Sequence, residues 1–190
     1  VSSQAWPKPF KVLIDPGHGG HDSGSGVGDL KEKNLTLLVA FEVKNQLEKE
    51  PYPVDVALTR TTDRFVHLDK RKSMALSAKP DVFISIHVNS NANSHVRGTE
   101  FYFENQVASD DESLTLAHRE NAEYGPGTQG IVADRQPAQE DVSDILTDLA
   151  HSDHMVKSQL LSQSLLDSFK QYFSNRTKTI RQAPFRVLLV

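Results

Sequence analysis

Lys11-Val-Leu-Ile-Asp15 is a short apolar run that stops abruptly at Pro16-Gly-His-Gly-Gly20. An apolar run of this length closed by Pro and Gly is the pattern of a buried strand running into a tight loop. Two later segments repeat the theme. Val54-Asp-Val-Ala-Leu-Thr-Arg60 alternates as a strand does, and Asp81-Val-Phe-Ile-Ser-Ile-His-Val88 is the best strand in the chain. Between the first and second, from Asn34, the residues Leu35, Leu38, Val39, Val43 and Leu47 recur at helical spacing until Pro51 and Pro53. Between the second and third, Leu68 to Ala78 reads as a helix bounded by Lys79-Pro80. Strand and helix in alternation predict an α/β fold: one domain, a twisted mixed sheet of about six strands, and helices on both faces.

The remaining elements continue the pattern less regularly. Gly98-Thr-Glu-Phe-Tyr-Phe103 reads as a fourth strand. Residues 104–150 are acidic, contain the breaker cluster Gly125-Pro-Gly-Thr-Gln-Gly130, and hold two predicted helices, Ser113 to Ala122 and Glu140 to Leu149. This stretch reads as an insertion. A helix from about His154 to Phe173 carries Leu160, Leu161, Leu165, Leu166, Phe169 and Phe173 on one side, and Ala183 to Val190 reads as the start of a final strand.

Composition narrows the chemistry. The chain has no cysteine, so a thiolate nucleophile, a thiolate metal site and a disulfide framework are all excluded. A metal site must then use histidine and carboxylates. With 21 basic and 25 acidic side chains the net charge is −4, which offers no basic field for nucleic acid. No apolar run approaches the roughly 18–20 residues of a membrane span. Residues 1–10 show no charged-then-apolar leader pattern, which fits a cytoplasmic protein or an exported one whose leader has been removed; the missing cysteines favour the envelope.

His18 follows the first strand and His87 ends the third. In a parallel α/β sheet the carboxyl ends of the strands converge on one rim, where sites are built, so the two imidazoles are expected to meet there. A catalytic zinc ordinarily takes three protein ligands and leaves a position open, which calls for an anionic third ligand.

The segments Val12-Leu-Ile-Asp-Pro-Gly-His-Gly-Gly20, Leu30-Lys-Glu-Lys-Asn-Leu35, Leu58-Thr-Arg-Thr-Thr-Asp63, Ser85-Ile-His-Val-Asn89 and Gly98-Thr-Glu-Phe-Tyr102 occur in an order that resembles the zinc-dependent N-acetylmuramoyl-L-alanine amidases. The resemblance implies that His18, Glu32 and His87 hold Zn2+, and that the reaction is hydrolysis of the amide joining N-acetylmuramic acid to L-alanine in peptidoglycan. Glu32 at a helix start, fourteen residues after His18, suits this role, since the glycine-rich loop can fold back to present its carboxylate. Arg60, Arg71 and Asn89 are expected to contact substrate or support the site, with Arg71 also open to pairing with Asp69, Asp63 or another surface acid. The family's general-base glutamate lies a short way beyond the last strand, hence past Val190. Residues 1–190 are therefore read as an amidase catalytic domain that is incomplete at its C-terminal side, with no catalytic base assigned.

Members of the family that act in cell division carry a regulatory insertion, and the resemblance extends to Leu116-Ala-His-Arg-Glu-Asn-Ala122 and Asp141-Val-Ser-Asp-Ile-Leu-Thr-Asp-Leu149. It implies that residues 104–150 block the metal until a LytM-like activator displaces them, with Glu120 the first blocking candidate and Glu123 and Glu140 behind it. A periplasmic location follows from the same resemblance. Two other readings stand beside it: a zinc peptidase acting on cell-wall peptides, and a non-catalytic zinc protein that binds peptidoglycan. His21, His67, His95 and His118 are expected at the surface. His151 and His154 are three apart on a helix and are expected to be a surface pair without a third ligand.

Overall fold

The computed structural model describes residues 8–90, 95, 97–122, 142–172 and 177–190. The chain divides into two compact units, Val1–Ala92 with Val190, and Asn93–Leu189. Each unit is built around its own strands.

In the first unit, strand β1 (Phe10–Pro16) runs between β4 (Val54–Leu58) and β5 (Val82–Ile86), parallel to both. Two short strands, β2 (Gly26–Val27) and β3 (Leu30–Lys31), pair as a hairpin inside the loop after β1. Helix α1 (Glu32–Leu47) connects β1 to β4, and α2 (Leu68–Ala78) connects β4 to β5. Alternation along β1 sends its side chains to two faces. Val12 and Ile14 pack with Ala40, Val43 and Leu47 of α1 and Val56 of β4, while Asp15 points to the other face, where Arg71 of α2 meets it. The strand order reverses at β1, so the ends of β1 and β5 form a topological switch point, the usual location of an α/β site.

The periodicity read for α1 needs correction. Leu38 and Val39 are exposed, Leu38 by 67%, and the buried face is Glu32, Thr36 and Ala40, continued by Val43 and Leu47. The helix also starts two residues earlier than Asn34, because Glu32 is drawn inward by polar partners rather than by apolar burial. Helix α2 matches its predicted span. The His67 ring accepts from the Asp69 N–H at its start, and Lys79 closes it in the left-handed conformation, φ 46°.

In the second unit, β6 (Gly98–Glu104) and β7 (Thr177–Ala183) are parallel partners. Helix α3 (Asp111–Asn121) packs its buried Ser113 and Ala117, and α4 (Val142–Tyr172) sets Phe169 edge-on to Phe101 of β6. The two helices expected at 140–149 and 154–173 are one helix of 31 residues, since nothing between Val142 and Tyr172 is Gly or Pro. The final strand expected from Ala183 instead ends there. Pro184 has no N–H to continue the ladder, and Arg186–Leu188 forms a 3-10 turn. Strand seven is the β-branched stretch Thr177–Ala183 just before it.

The fold is thus mixed α/β, as expected, but among the described residues the strands form one three-stranded and two two-stranded ladders rather than one sheet of six. No described helix is long and apolar enough to cross a membrane. The breaker cluster at 125–130 lies outside the described residues.

Helix α3 owes its start, two residues before the predicted one, to Asp110, whose Oδ1 accepts from the Ser113 N–H at 2.8 Å. That bond holds the Asp110 carboxyl below its ordinary value of 3.8. A group with a depressed folded-state pKa stabilises above its unfolded pKa and loses that contribution as pH falls through the folded value. Asp110→Ala should lower the melting temperature by a few degrees at neutral pH, and the gap from wild type should close below about pH 4, read by circular dichroism melts across pH.

Candidate metal centre

The turn after β1 is shaped by what its backbone must pass. A Cβ on Gly17 would stand 2.5 Å from the His87 ring, and one on Gly24 would stand 2.5 Å from His18 Cδ2 and 2.7 Å from Glu32 Oε2. Both positions must be glycine for the two rings and the carboxylate to come together. His18 itself has φ 59°, a left-handed conformation that a residue with a side chain holds only when its surroundings enforce it.

Three side chains converge at this rim. His18 Nε2 is 3.2 Å and His87 Nδ1 3.1 Å from the same oxygen, Glu32 Oε1, and the two rings meet edge to face with centroids 4.8 Å apart. Glu32, its side chain only 1% exposed, also accepts from the Val88 N–H through Oε1 and from the Ser25 N–H through Oε2. Ser25 Oγ in turn donates to the Val88 carbonyl, tying the hairpin loop to the end of β5.

The other edge of His18 identifies its tautomer. Nδ1 lies 2.6 Å from Asp22 Oδ2, and a carboxylate only accepts, so Nδ1 carries a proton. Nε2 then faces a carboxylate oxygen. A lone pair in that position is repelled unless a second proton or a cation lies between, and a carboxylate holding the far nitrogen is the arrangement that orients metal-ligating histidines. Two imidazole nitrogens, one carboxylate and the two glycine clearances together fit a divalent cation.

Without a cation, protons answer the same demand. Burial opposes ionisation of Glu32, but the hydrogen bonds of His18, His87 and the Val88 N–H outweigh it and drive its carboxyl far below the usual range. Burial likewise lowers the His18 pKa, yet the Glu32 hydrogen bond overrides it and the imidazole titrates above its ordinary 6.5.

The expected ligands His18, Glu32 and His87 are therefore brought together within one unit. Asn89 follows at the exposed end of β5. Arg60 and Arg71 are not surface residues: they are 0% and 1% exposed, and the partner of Arg71 is the buried Asp15, at 2.6 Å, instead of Asp69 or Asp63. Asp63 pairs with Lys33. Glu120 sits on α3 in the second unit, where its carboxylate accepts from Arg119; Glu123 and Glu140 lie outside the described residues. His151 donates to Glu104 and is exposed, as a surface pair should be. His21 is exposed, as expected, and its ring rests on Phe65 with centroids 4.1 Å apart. Sequence reading passed over Asp15 and Asp22. The signal for Asp22 was its place four residues after His18 in a turn; for Asp15 it was a charge at the end of an otherwise apolar strand.

A family model described as N-acetylmuramoyl-L-alanine amidase matches residues 12–189. The chain belongs to this family. Amidase AmiA of Salmonella typhimurium is 33% identical over 180 residues, covering 93% of this chain and 60% of the relative. The probable cell wall amidase LytH of Staphylococcus epidermidis is also 33% identical over 180 residues, 86% of this chain and 58% of the relative. Amidase AmiC2 of Nostoc punctiforme, a solved structure, superposes with TM-score 0.57 at 26% identity, covering 95% of this chain and 72% of that one. The chain spans 60% or less of the length of these curated amidases.

The raised pKa of His18 gives a direct test in chelator-treated protein. A group with a raised folded-state pKa stabilises fully below its unfolded value and loses that contribution as pH rises through the folded one, so the His18–Glu32 pair should stabilise the cation-free fold below about pH 6.5. Glu32→Gln should lower the His18 pKa, because burial and His87 then act against the Asp22 hydrogen bond alone. An imidazole NMR titration reads this, and an unmoved His18 would contradict the assignment of Glu32 as its partner.

Proposed function

We propose that this chain is a zinc-dependent amidase domain that hydrolyses the amide between N-acetylmuramic acid and L-alanine in peptidoglycan. The observation that carries the reading is the convergence of His18, Glu32 and His87 on one point inside the region matched by the amidase family. Two neutral imidazoles with one carboxylate are a catalytic zinc donor set. The separations of 3.1 and 3.2 Å between donor atoms approach the edge of a tetrahedron with bonds of about 2.0–2.1 Å. Held there, zinc supplies Lewis acidity, which acidifies water and polarises the amide carbonyl. The chain's own groups prepare that chemistry. Asp22 keeps the His18 proton on Nδ1 and so leaves Nε2 for the metal, and the Val88 and Ser25 N–H groups hold both oxygens of Glu32 in place.

The working location in this reading is outside the cytoplasm, in the periplasm, in keeping with relatives that are named as cell wall amidases. Residues 104–150 serve as a regulatory insertion in a cell-division role. Glu120 is the blocking acid, with Glu123 and Glu140 as alternates, and a LytM-like protein that binds only the displaced state is the activator.

Glu32→Ala or His87→Ala should abolish both zinc retention and turnover by the protein. Mass spectrometry of digested sacculi should find intact stem peptides beginning at L-alanine together with glycan bearing free lactyl carboxylates. Fragments cut within the peptide would instead indicate a peptidase, and bound zinc with no product a binding protein. Glu120→Gln should raise basal release of stem peptide several-fold; an unchanged rate would remove Glu120 from the blocking role.

A further inference from the structure

Beneath the candidate metal centre lies a buried polar layer. Three consecutive carbonyls, those of Pro16, Gly17 and His18, carry the backbone from β1 into the metal loop. Two arginines with almost no solvent exposure bind all three. Arg71 donates from Nη1 to the Pro16 carbonyl and from Nη2 to the His18 carbonyl, each at 2.8 Å. Arg60 donates from Nε to Pro16 at 3.0 Å and from Nη2 to Gly17 at 2.8 Å. Thr36 Oγ1 donates to the Gly17 carbonyl as well, at 2.9 Å.

Both forks have all three nitrogens directed, but Arg71 is the one tied to a carboxylate: its Nη1 meets Asp15 Oδ1 at 2.6 Å and its Nε donates to the Val66 carbonyl at 2.8 Å. Asp15 is held in turn by the hydroxyl of Thr59 and, at 3.0 Å, by that of Ser85. Burying a second guanidinium beside the first is electrostatically adverse, and Arg60 shows it: burial, then Arg71, pushes its pKa down. An arrangement with that cost persists where the two forks are needed for something specific. The residue at the end of the clamp is His18, held at φ 59°.

We propose that Arg71, oriented by Asp15, is the positioning residue for His18: it clamps the His18 carbonyl and so fixes the left-handed turn that aims the imidazole at Glu32 and the metal. This inference rests on the zinc reading above and extends it to metal affinity. A planar guanidinium fork is required, because lysine keeps the charge opposite Asp15 but is a point donor that cannot serve Val66, Pro16 and His18 together.

The test is zinc affinity, measured by chelator competition on the full chain at a temperature where near-UV circular dichroism shows it folded. Arg71→Lys should weaken zinc binding by about 10–100-fold, the usual consequence of losing an outer-shell partner. Val56→Ala, a core truncation on β4 that touches no part of the clamp, should lower the melting temperature and leave zinc affinity unchanged. Should Arg71→Lys not fold, Thr59→Val, which loosens Asp15 but leaves the guanidinium, should weaken zinc by a smaller but measurable factor. A folded Arg71→Lys, or in its place Thr59→Val, that binds zinc as tightly as wild type overturns the clamp. A wild-type chain that takes up no zinc, and behaves as Glu32→Ala does, overturns the metal reading itself and the clamp with it.

Discussion

Asp15 is a buried carboxylate on the central strand of the first unit, and each surrounding element must account for it. Arg71 reaches it from α2, Thr59 from the end of β4 and Ser85 from β5. Removing one partner of such a buried pair costs on the order of 3–5 kcal/mol, because the other is left charged in a poorly solvated place. The pair therefore says more about arrangement than about net stability. It specifies which helix covers this face of β1, and it brings a guanidinium to the carbonyls that lead into the glycine-rich loop.

A second buried carboxylate, Glu32, sits one layer above and obeys the same rule with different partners. Its oxygens are shared among two backbone N–H groups and two imidazoles. The two acids have different company: Asp15 meets Arg71 beside the backbone carbonyls of Pro16 and His18, and Glu32 meets the two histidines. Glycines 17 and 24 are what permit the two rings and the carboxylate to approach so closely, since a methyl at Gly17 would strike His87 and one at Gly24 would strike His18 and Glu32.

Much of this was legible in the chain. Apolar runs closed by Pro, Gly or a polar loop located β1, β4 and β5, and the Lys79-Pro80 breaker bounded α2, because strand burial and backbone restriction are local properties. His18 and His87 could be placed at strand ends for the same reason. The long helix α4 was divided in two by composition alone, although no residue between Val142 and Tyr172 breaks a helix. The apolar face of α1 was misjudged, since Leu38 and Val39 fit the helical period as well as Ala40 and Val43 do.

What the sequence by itself determined was the alternation of β1, α1, β4, α2 and β5, the absence of thiol chemistry and the two strand-end histidines, which follow from residue type and short-range spacing, while Glu32 joined them through the family resemblance. Only the tertiary structure decided which charges are buried. In the chain Arg60 and Arg71 read as groups that contact substrate or support the site, Arg71 equally as the partner of a surface acid, and Asp15 as the polar end of a strand; the contacts of Arg60 with Pro16 and of Arg71 with Asp15 span 44 and 56 residues, where no local periodicity reports a contact. Pairing of buried charges is a property of the packed interior, and it appears only once the three strands and two helices of the first unit have closed around it.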